Sequence, residues 1–233
     1  MSTSRRGRVA LATTAAALTV ALTGCGVTGT GFQPGVAAKV DDRTVSTDHV
    51  DELVGLYCDA IDDQFAAEDT VVPFGYLRTG VAGELTLKLA AEQLAEDYDV
   101  EPTADYDRAV SDIQSQITEL SDDEQEAVLE VATASAYVAA VQIAVGQELL
   151  ADEGVSDPAS DAAGQRGVEE FNKWLDDHEV VLNPEYGATL KDGALAPDDT
   201  ELSFPVGETA TQGRAEQPDP AYAKGLPESQ RCG

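Results

Sequence analysis

Apolar residues recur at intervals of three and four along most of the chain, the spacing of helices with one buried face. The first such stretch follows Ser46, a residue type that caps helix N-termini, and its apolar face runs from Val50 to Phe65. The same spacing predicts later helices over residues 76–98, 104–120 and 121–150. The pattern therefore predicts a mainly α fold in which several amphipathic helices pack together.

Two short stretches are typical of strands rather than helices. Residues 36–45 hold β-prone residues on both sides of Asp41 and Asp42, which predicts a small hairpin directly before the first helix. Residues 179–183 form a strand-like apolar run that Pro184 ends. We therefore expect a small β element beside the helices.

Polar composition marks the segments that we expect outside the helices. Residues 152–166 show no hydrophobic period, which predicts a linker before a last amphipathic helix that begins near Val168. Residues 192–233 are rich in glycine, proline and aspartate, which predicts an irregular tail. The helical domain itself is expected to span residues 36–191.

The helix predicted over residues 121–150 contains a long uncharged run. It begins with a capping box formed by Ser121 and Glu124, and it carries no charge between Val131 and Gln147. A membrane span needs about 20 predominantly apolar residues. Because this run is shorter and includes threonine, serine and glutamine, we predict a buried central helix instead.

The N-terminus has the features of an export signal. Basic residues at positions 5, 6 and 8 precede an apolar run, and residues 22–25 (Leu-Thr-Gly-Cys) resemble the lipobox of exported lipoproteins. We predict that residues 1–24 are removed and that Cys25 is acylated. Residues 25–35, rich in glycine and threonine, would then tether the domain to the extracytoplasmic face of the cell membrane. The alternative is an ordinary secretory signal with a chance cysteine.

The predicted acylation of Cys25 determines which cysteines remain available for a disulfide. The chain has three cysteines, so lipid on Cys25 leaves Cys58 and Cys232. Free thiols tend to oxidise outside the cytoplasm, which predicts a disulfide between these two residues. The alternative is that Cys232, which precedes the last residue, remains unpaired.

Composition excludes some partners. The chain of 233 residues carries 44 acidic and 14 basic residues, for a formal net charge of −30. A field of that sign repels nucleic acid and anionic lipid head groups, so neither is an expected partner. Aromatic residues make up only 6 % of the chain, so we expect a core of small aliphatic side chains.

The sequence offers no constellation of catalytic or metal-binding residues, so we predict neither an enzyme nor a cofactor. Its two histidines, His49 and His178, fall near the predicted start of the first helix and the end of the last, and they mark helix ends rather than a general base. Residues 97–101 resemble the opening of a calcium loop, but Pro102 stands where that loop needs glycine.

Three segments follow one another in an order known from one family. Residues 37–46 (AAKVDDRTVS), 76–103 and 180–187 (VVLNPEYG) are similar to the strand–turn–strand, the second helix with its connector, and the returning strand of the SurA/PrsA-type chaperone N-terminal domain. The resemblance implies that the returning strand pairs with the N-terminal hairpin. Full-length members carry a parvulin isomerase domain where this chain has only residues 152–166, so no isomerase activity is expected.

Together these features predict a membrane-anchored lipoprotein with chaperone-like binding of unfolded exported proteins. Apolar contacts are tolerant of sequence, which suits the holding of many clients. The residues expected to contact clients lie on the first two helices: Leu53, Tyr57, Ile61, Phe65, Leu77 and Val81. The alternative is an envelope scaffold or adaptor that binds one specific folded partner.

Overall fold

The computed structural model describes residues 34–198, 207–213, 215 and 217–233. Within these residues the chain is mainly helical with a few small antiparallel sheets, which confirms the predicted fold class at this level. The lipobox, and with it Cys25 and nearly all of the predicted tether, lies outside the described residues.

The elements follow in this order along the chain. The helices are α1 (Thr47–Glu68), α2 (Phe74–Tyr98), α3 (Ala104–Gln116), α4 (Asp122–Asp152), α5 (Ser160–Asp177), α6 (Glu208–Gly213) and α7 (Pro220–Lys224). The strands are β1 (Val36–Val40), β2 (Arg43–Ser46), β3 (Val72–Pro73), β4 (Val180–Leu182), β5 (Ala188–Lys191), β6 (Ala194–Pro197) and β7 (Arg231–Cys232). Short 3-10 helices cover Pro184–Tyr186 and Glu228–Gln230.

Side-chain caps begin two of the helices where the sequence predicts them. The Ser46 hydroxyl accepts a hydrogen bond from the backbone N–H of His49, at 3.1 Å, and begins α1. Ser121 and Glu124 form the predicted capping box at the start of α4. Each cap satisfies backbone N–H groups that a helix leaves unpaired in its first turn.

A three-stranded antiparallel sheet has the strand order β2-β1-β4. The hairpin of β1 and β2 turns at Asp41, whose φ of 51° lies in the left-handed region that aspartate tolerates. On the other side of β1, Ala38 lies opposite Leu182 of β4. Strand β4 therefore pairs with the N-terminal hairpin, as the resemblance implied.

Helix α4 lies at the centre of the fold and packs against α1, α2, α3 and α5. One buried cluster joins β1, α1 and α2 and includes Val50 and Val54, and a second joins α2, α4 and α5 and includes Val141 and Phe171. By length and composition, α4 is the one described helix able to cross a membrane. Its contacts with four other helices agree with the predicted central helix.

Helix α5 begins at Ser160, so the prediction of a linker over residues 152–166 is wrong in its second half. This part of α5 packs through small residues and therefore shows no pattern of large apolar side chains. A Cβ atom on Gly167 would lie 1.7 Å from the backbone oxygen of Gln142, and one on Gly146 would lie 1.8 Å from that of Ala163. Helices α4 and α5 are thus in backbone contact.

The prediction of an irregular tail over residues 192–233 is also wrong, because β6, α6, α7 and β7 lie in it. Strands β5 and β6 form a hairpin whose turn residues, Asp192 and Gly193, both have positive φ. Aspartate followed by glycine is the favoured sequence for such a two-residue turn. The two residues Asp192 and Gly193 therefore favour this hairpin, although the composition of the tail as a whole is typical of irregular structure.

A disulfide joins Cys58 on α1 to Cys232 on β7, as the sequence predicted, with Cα atoms 5.7 Å apart. Both cysteines are buried, and β7 pairs with β3 so that Val72 lies opposite Cys232. The bond connects positions 174 residues apart. It therefore holds the C-terminal end of the chain on the first helix.

Candidate functional site

Two open depressions share Lys88 and Glu130 as a common border, and together they form a groove lined by residues of α1, α2, α3, α4 and β2. We refer to this feature as the α2–α4 groove. The depression nearer α3 has a volume of about 490 Å³, and the one nearer β2 a volume of about 330 Å³. The apolar part of the lining is formed by Val45, Leu85, Leu89, Tyr106, Val110 and Leu129, and the rest of the lining is polar or charged.

The periodicity of α4 explains why one of its faces lines the groove. Asp122, Glu126, Leu129 and Thr133 recur at intervals of three and four, so they lie along one side of the helix. At a rise of 1.5 Å per residue, the stretch from Asp122 to Thr133 is about 16 Å long. Between these residues, Ala127 and Val128 are buried in the core. The groove therefore follows the border between the polar and buried faces of α4.

Aromatic side chains separate α3 from α4 at one wall of the groove. The rings of Tyr106 on α3 and Tyr137 on α4 meet edge to face, with centroids 5.2 Å apart. Every residue of α3 remains at least partly exposed, so this helix covers α4 without burying its own residues. Burial raises the pKa of Tyr137, and nearby glutamates add to the effect. The Tyr137 phenol is therefore neutral at physiological pH.

One ion pair and one contact between a histidine and a carboxylate mark the border between the depressions. Lys88 on α2 forms an ion pair with Glu92, and its ammonium nitrogen lies 5.2 Å from the centroid of the Tyr137 ring. The Nε2 atom of His49 on α1 lies 2.8 Å from a carboxylate oxygen of Glu130 on α4. In each pair, a basic side chain of the groove contacts an acidic side chain of the groove.

Acidic groups outnumber basic ones in the groove. Its lining includes the carboxylates of Glu92, Asp122, Glu126 and Glu130, and its basic side chains are Lys88 and His49. Among the described residues, Asp122 and Glu126 form no ion pair, and both are exposed. The groove thus offers apolar surface beside two carboxylates that have no ion-pair partner among the described residues.

The six residues predicted to contact clients lie apart from the α2–α4 groove. Leu53 and Val81 are each 4 % exposed and belong to the core, and Leu77 packs against the same cluster. Tyr57, Ile61 and Phe65 are partly exposed on the C-terminal part of α1. Leu53 and Val81 therefore have no surface for a client in the folded state, because their apolar spacing reflects core packing.

The groove was not predictable from the sequence because four helices and a strand contribute to it. A local feature was present in the acidic residues Asp122, Glu126 and Glu130, which follow one another at intervals of four. Their spacing places them on one side of a helix. It does not show which apolar residues of α2 and α3 lie beside them.

A second polar cluster joins the hairpin to the end of α5. The Nδ1 atom of His178 lies 2.6 Å from a carboxylate oxygen of Asp41, and its ring stacks on Trp174 with centroids 3.8 Å apart. The Trp174 indole N–H donates to Asp97 at 2.8 Å. The bond with His178, and then the backbone N–H of Glu179, lower the pKa of the Asp41 carboxyl. Through these contacts, the turn of the β1–β2 hairpin is connected to the C-terminal end of α5.

The described residues contain no group of three or more histidine, cysteine, aspartate or glutamate side chains arranged to hold a metal ion. His49 is the third residue of α1 and His178 directly follows α5, as the sequence predicted.

Comparison of the chain with protein-family models, with curated proteins and with solved structures finds no match.

Proposed function

We propose that this protein is a lipid-anchored, extracytoplasmic lipoprotein that holds unfolded exported polypeptides in a chaperone-like manner, without isomerase activity. The observation that carries the proposal is the α2–α4 groove, which is open and whose lining combines apolar side chains with polar and charged ones. Unfolded segments expose apolar side chains, and the groove gives such side chains a surface away from water.

The size of the groove suits a short extended segment. The face of α4 that lines it is about 16 Å long, and an extended chain rises about 3.3 Å per residue, so about five residues fit along it. Apolar contacts have no strict direction, and five residues bury little surface. Such a site binds weakly and releases readily, which is what transient holding of a client requires.

The predicted export address and the charge of the chain support the same role. Acylation of Cys25 would place the groove near the membrane surface, where exported chains emerge unfolded. The net charge of −30 favours solubility, which a protein loaded with an apolar client needs. The prediction of export and acylation rests on the lipobox, residues 22–25.

An aggregation assay tests the proposal. The chain lacking residues 1–25 retains all the described contacts, and we expect it to slow the aggregation of several unrelated unfolded proteins at near-equal molar ratio. Substitution of Val110→Glu in the groove should weaken this effect. The same change at Val155, which is 43 % exposed and does not line the groove, should leave it unchanged.

Loss of activity on Val155→Glu and not on Val110→Glu would contradict the groove as the binding surface. Failure of the unsubstituted protein to slow aggregation of any client would contradict the chaperone role. In that case, recovery of one specific folded partner by crosslinking in cells would favour the alternative, an envelope adaptor.

A further inference from the structure

We propose that the α2–α4 groove selects extended segments in which a lysine or arginine lies within one to three positions of an apolar residue. The inference rests on the proposed function and names the class of client segment. It follows from the carboxylates of the groove that have no ion-pair partner among the described residues and from their place beside apolar side chains.

The basic groups of the groove are already engaged within the protein. Lys88 pairs with Glu92 and lies against the ring of Tyr137, and His49 is bonded to Glu130. The ammonium group of Lys88 balances the charge of Glu92, and His49 gives Glu130 a hydrogen-bond partner. These contacts leave Asp122 and Glu126 as the acidic groups of the groove without an ion-pair partner among the described residues. An occupant with positive charge would supply those partners.

The order of residues along α4 fixes the spacing that an occupant should have. Glu126 precedes the apolar Leu129 by three residues, and Asp122 precedes it by seven. On a helix these separations are about 4.5 and 10 Å, which an extended segment covers with about one to three residues. In a segment with this spacing, the basic side chain can lie against Glu126 or Asp122 while the apolar side chain lies against Leu129.

The apolar wall completes the site. Val110 and Tyr106 of α3 face the same depression as Leu129 of α4, so an apolar side chain has contacts on two sides. Carboxylates alone would attract any cation, whereas carboxylates beside this wall favour a segment with both properties. Segments with glutamate or aspartate in place of the basic residue would be repelled.

Peptide binding to the lipid-free protein tests this inference. The probe is a fluorescein-labelled heptapeptide with two lysines interleaved with leucine and valine. Its companions carry glutamine or glutamate in place of lysine, and a fourth peptide has lysines without the apolar residues. Fluorescence anisotropy should rank the lysine–apolar peptide first and should detect least binding of the glutamate peptide.

A matched pair of variants separates the groove from the general acidity of the chain. The double variant Asp122→Asn/Glu126→Gln should weaken binding of the lysine–apolar peptide by about three- to tenfold, the effect of two partly exposed ion pairs. It should leave the glutamine peptide unaffected. The variant Asp62→Asn/Asp63→Asn removes the same charge from exposed positions on α1 and should leave both peptides unaffected.

The outcomes distinguish this inference from the proposed function. Equal binding of the lysine and glutamate peptides, equal losses in both double variants, or no peptide binding at all would overturn the inference. If the protein still slows aggregation in those cases, the chaperone proposal stands and clients bind without this selection. If aggregation is also unaffected by the protein, both proposals fail.

Discussion

Replacement of Gly167 by alanine is expected to force α4 and α5 apart. The added Cβ atom would lie 1.7 Å from the backbone oxygen of Gln142, and the same change at Gly146 would bring a Cβ atom to 1.8 Å from the backbone oxygen of Ala163. Non-bonded carbon and oxygen atoms pack at about 3.3 Å or more. Neither obstacle is a flexible side chain, so one helix has to move.

The cost of that movement can be set against the gain in helix propensity. Alanine stabilises a helix interior by about 1 kcal/mol relative to glycine. Overpacking a core costs about 1–3 kcal/mol, and opening this interface also exposes part of the buried surface of Phe171, a side chain type that contributes about 1.5–3 kcal/mol when fully buried. We expect each substitution to lower the free energy of unfolding by about 2–4 kcal/mol in total.

Gly164 provides the matched control, because it lies on α5 between Ser160 and Gly167. The nearest atom to a Cβ at Gly164 is Cγ1 of Ile143 at 3.7 Å, an ordinary contact. Gly164→Ala should therefore stabilise the protein by up to about 1 kcal/mol through propensity alone. The same chemical change is expected to have opposite effects three positions apart.

Urea unfolding measures the difference. Trp174 is the only tryptophan of the chain and lies on α5, so its fluorescence reports directly on this helix. Circular dichroism at the helical band checks that both probes follow one transition. If Gly167→Ala proves as stable as the unsubstituted protein, or if Gly164→Ala destabilises it equally, then the two backbones do not meet at Gly167 as described.

Three further perturbations test the disulfide, the export address and the polar cluster. Serine at both Cys58 and Cys232 should lower the free energy of unfolding by about 2–4 kcal/mol in urea, since the bond limits the unfolded chain; an unchanged curve would mean that the C-terminal segment is held without it. The protein purified from membranes should react with no thiol reagent in denaturant and with two equivalents after reduction, whereas an unmodified Cys25 would add one. The bond from His178 lowers the pKa of Asp41 in the folded state, so the unfolded chain takes up this proton first as the pH falls. The resulting stability is present above the ordinary pKa of 3.8 and is lost as the pH falls through the lower folded value. The difference in urea midpoint between the protein and Asp41→Asn should therefore shrink below pH 3.8, and a constant difference would contradict the ionic origin.

Features that depend on a few neighbouring residues were predictable from the sequence. Ser46 and Ser121 begin α1 and α4 because their side chains bond to backbone groups within the next turn. The pairing of Cys58 with Cys232 was predictable for a different reason: the predicted acylation of Cys25 would leave two cysteines, which allow one connectivity. The structure contains that pair.

Features that depend on distant residues were not predictable in the same way. The first half of α5 lacks large apolar side chains because its partner surface on α4 admits only small ones, as Gly146 and Gly167 show. A hydrophobic pattern records what is buried by large side chains, so contact between two backbones leaves no periodicity. The apolar spacing of Leu53 and Val81 does not show whether a helix face contacts the core or a client. In the structure both residues pack in the core.

The two sides of α4 show how the core and the groove arise from one choice of residue size. Toward α5, Gly146 faces a backbone, and the two helices close completely. Toward α3, the rings of Tyr106 and Tyr137 stand between the helices, with centroids 5.2 Å apart. Two large side chains keep helices further apart than glycine does. Beside these rings the separation is left open, and there Leu129 and its acidic neighbours on α4 remain accessible. A groove is therefore the geometric consequence of an aromatic spacer on one face of a helix whose other face is sealed by glycine.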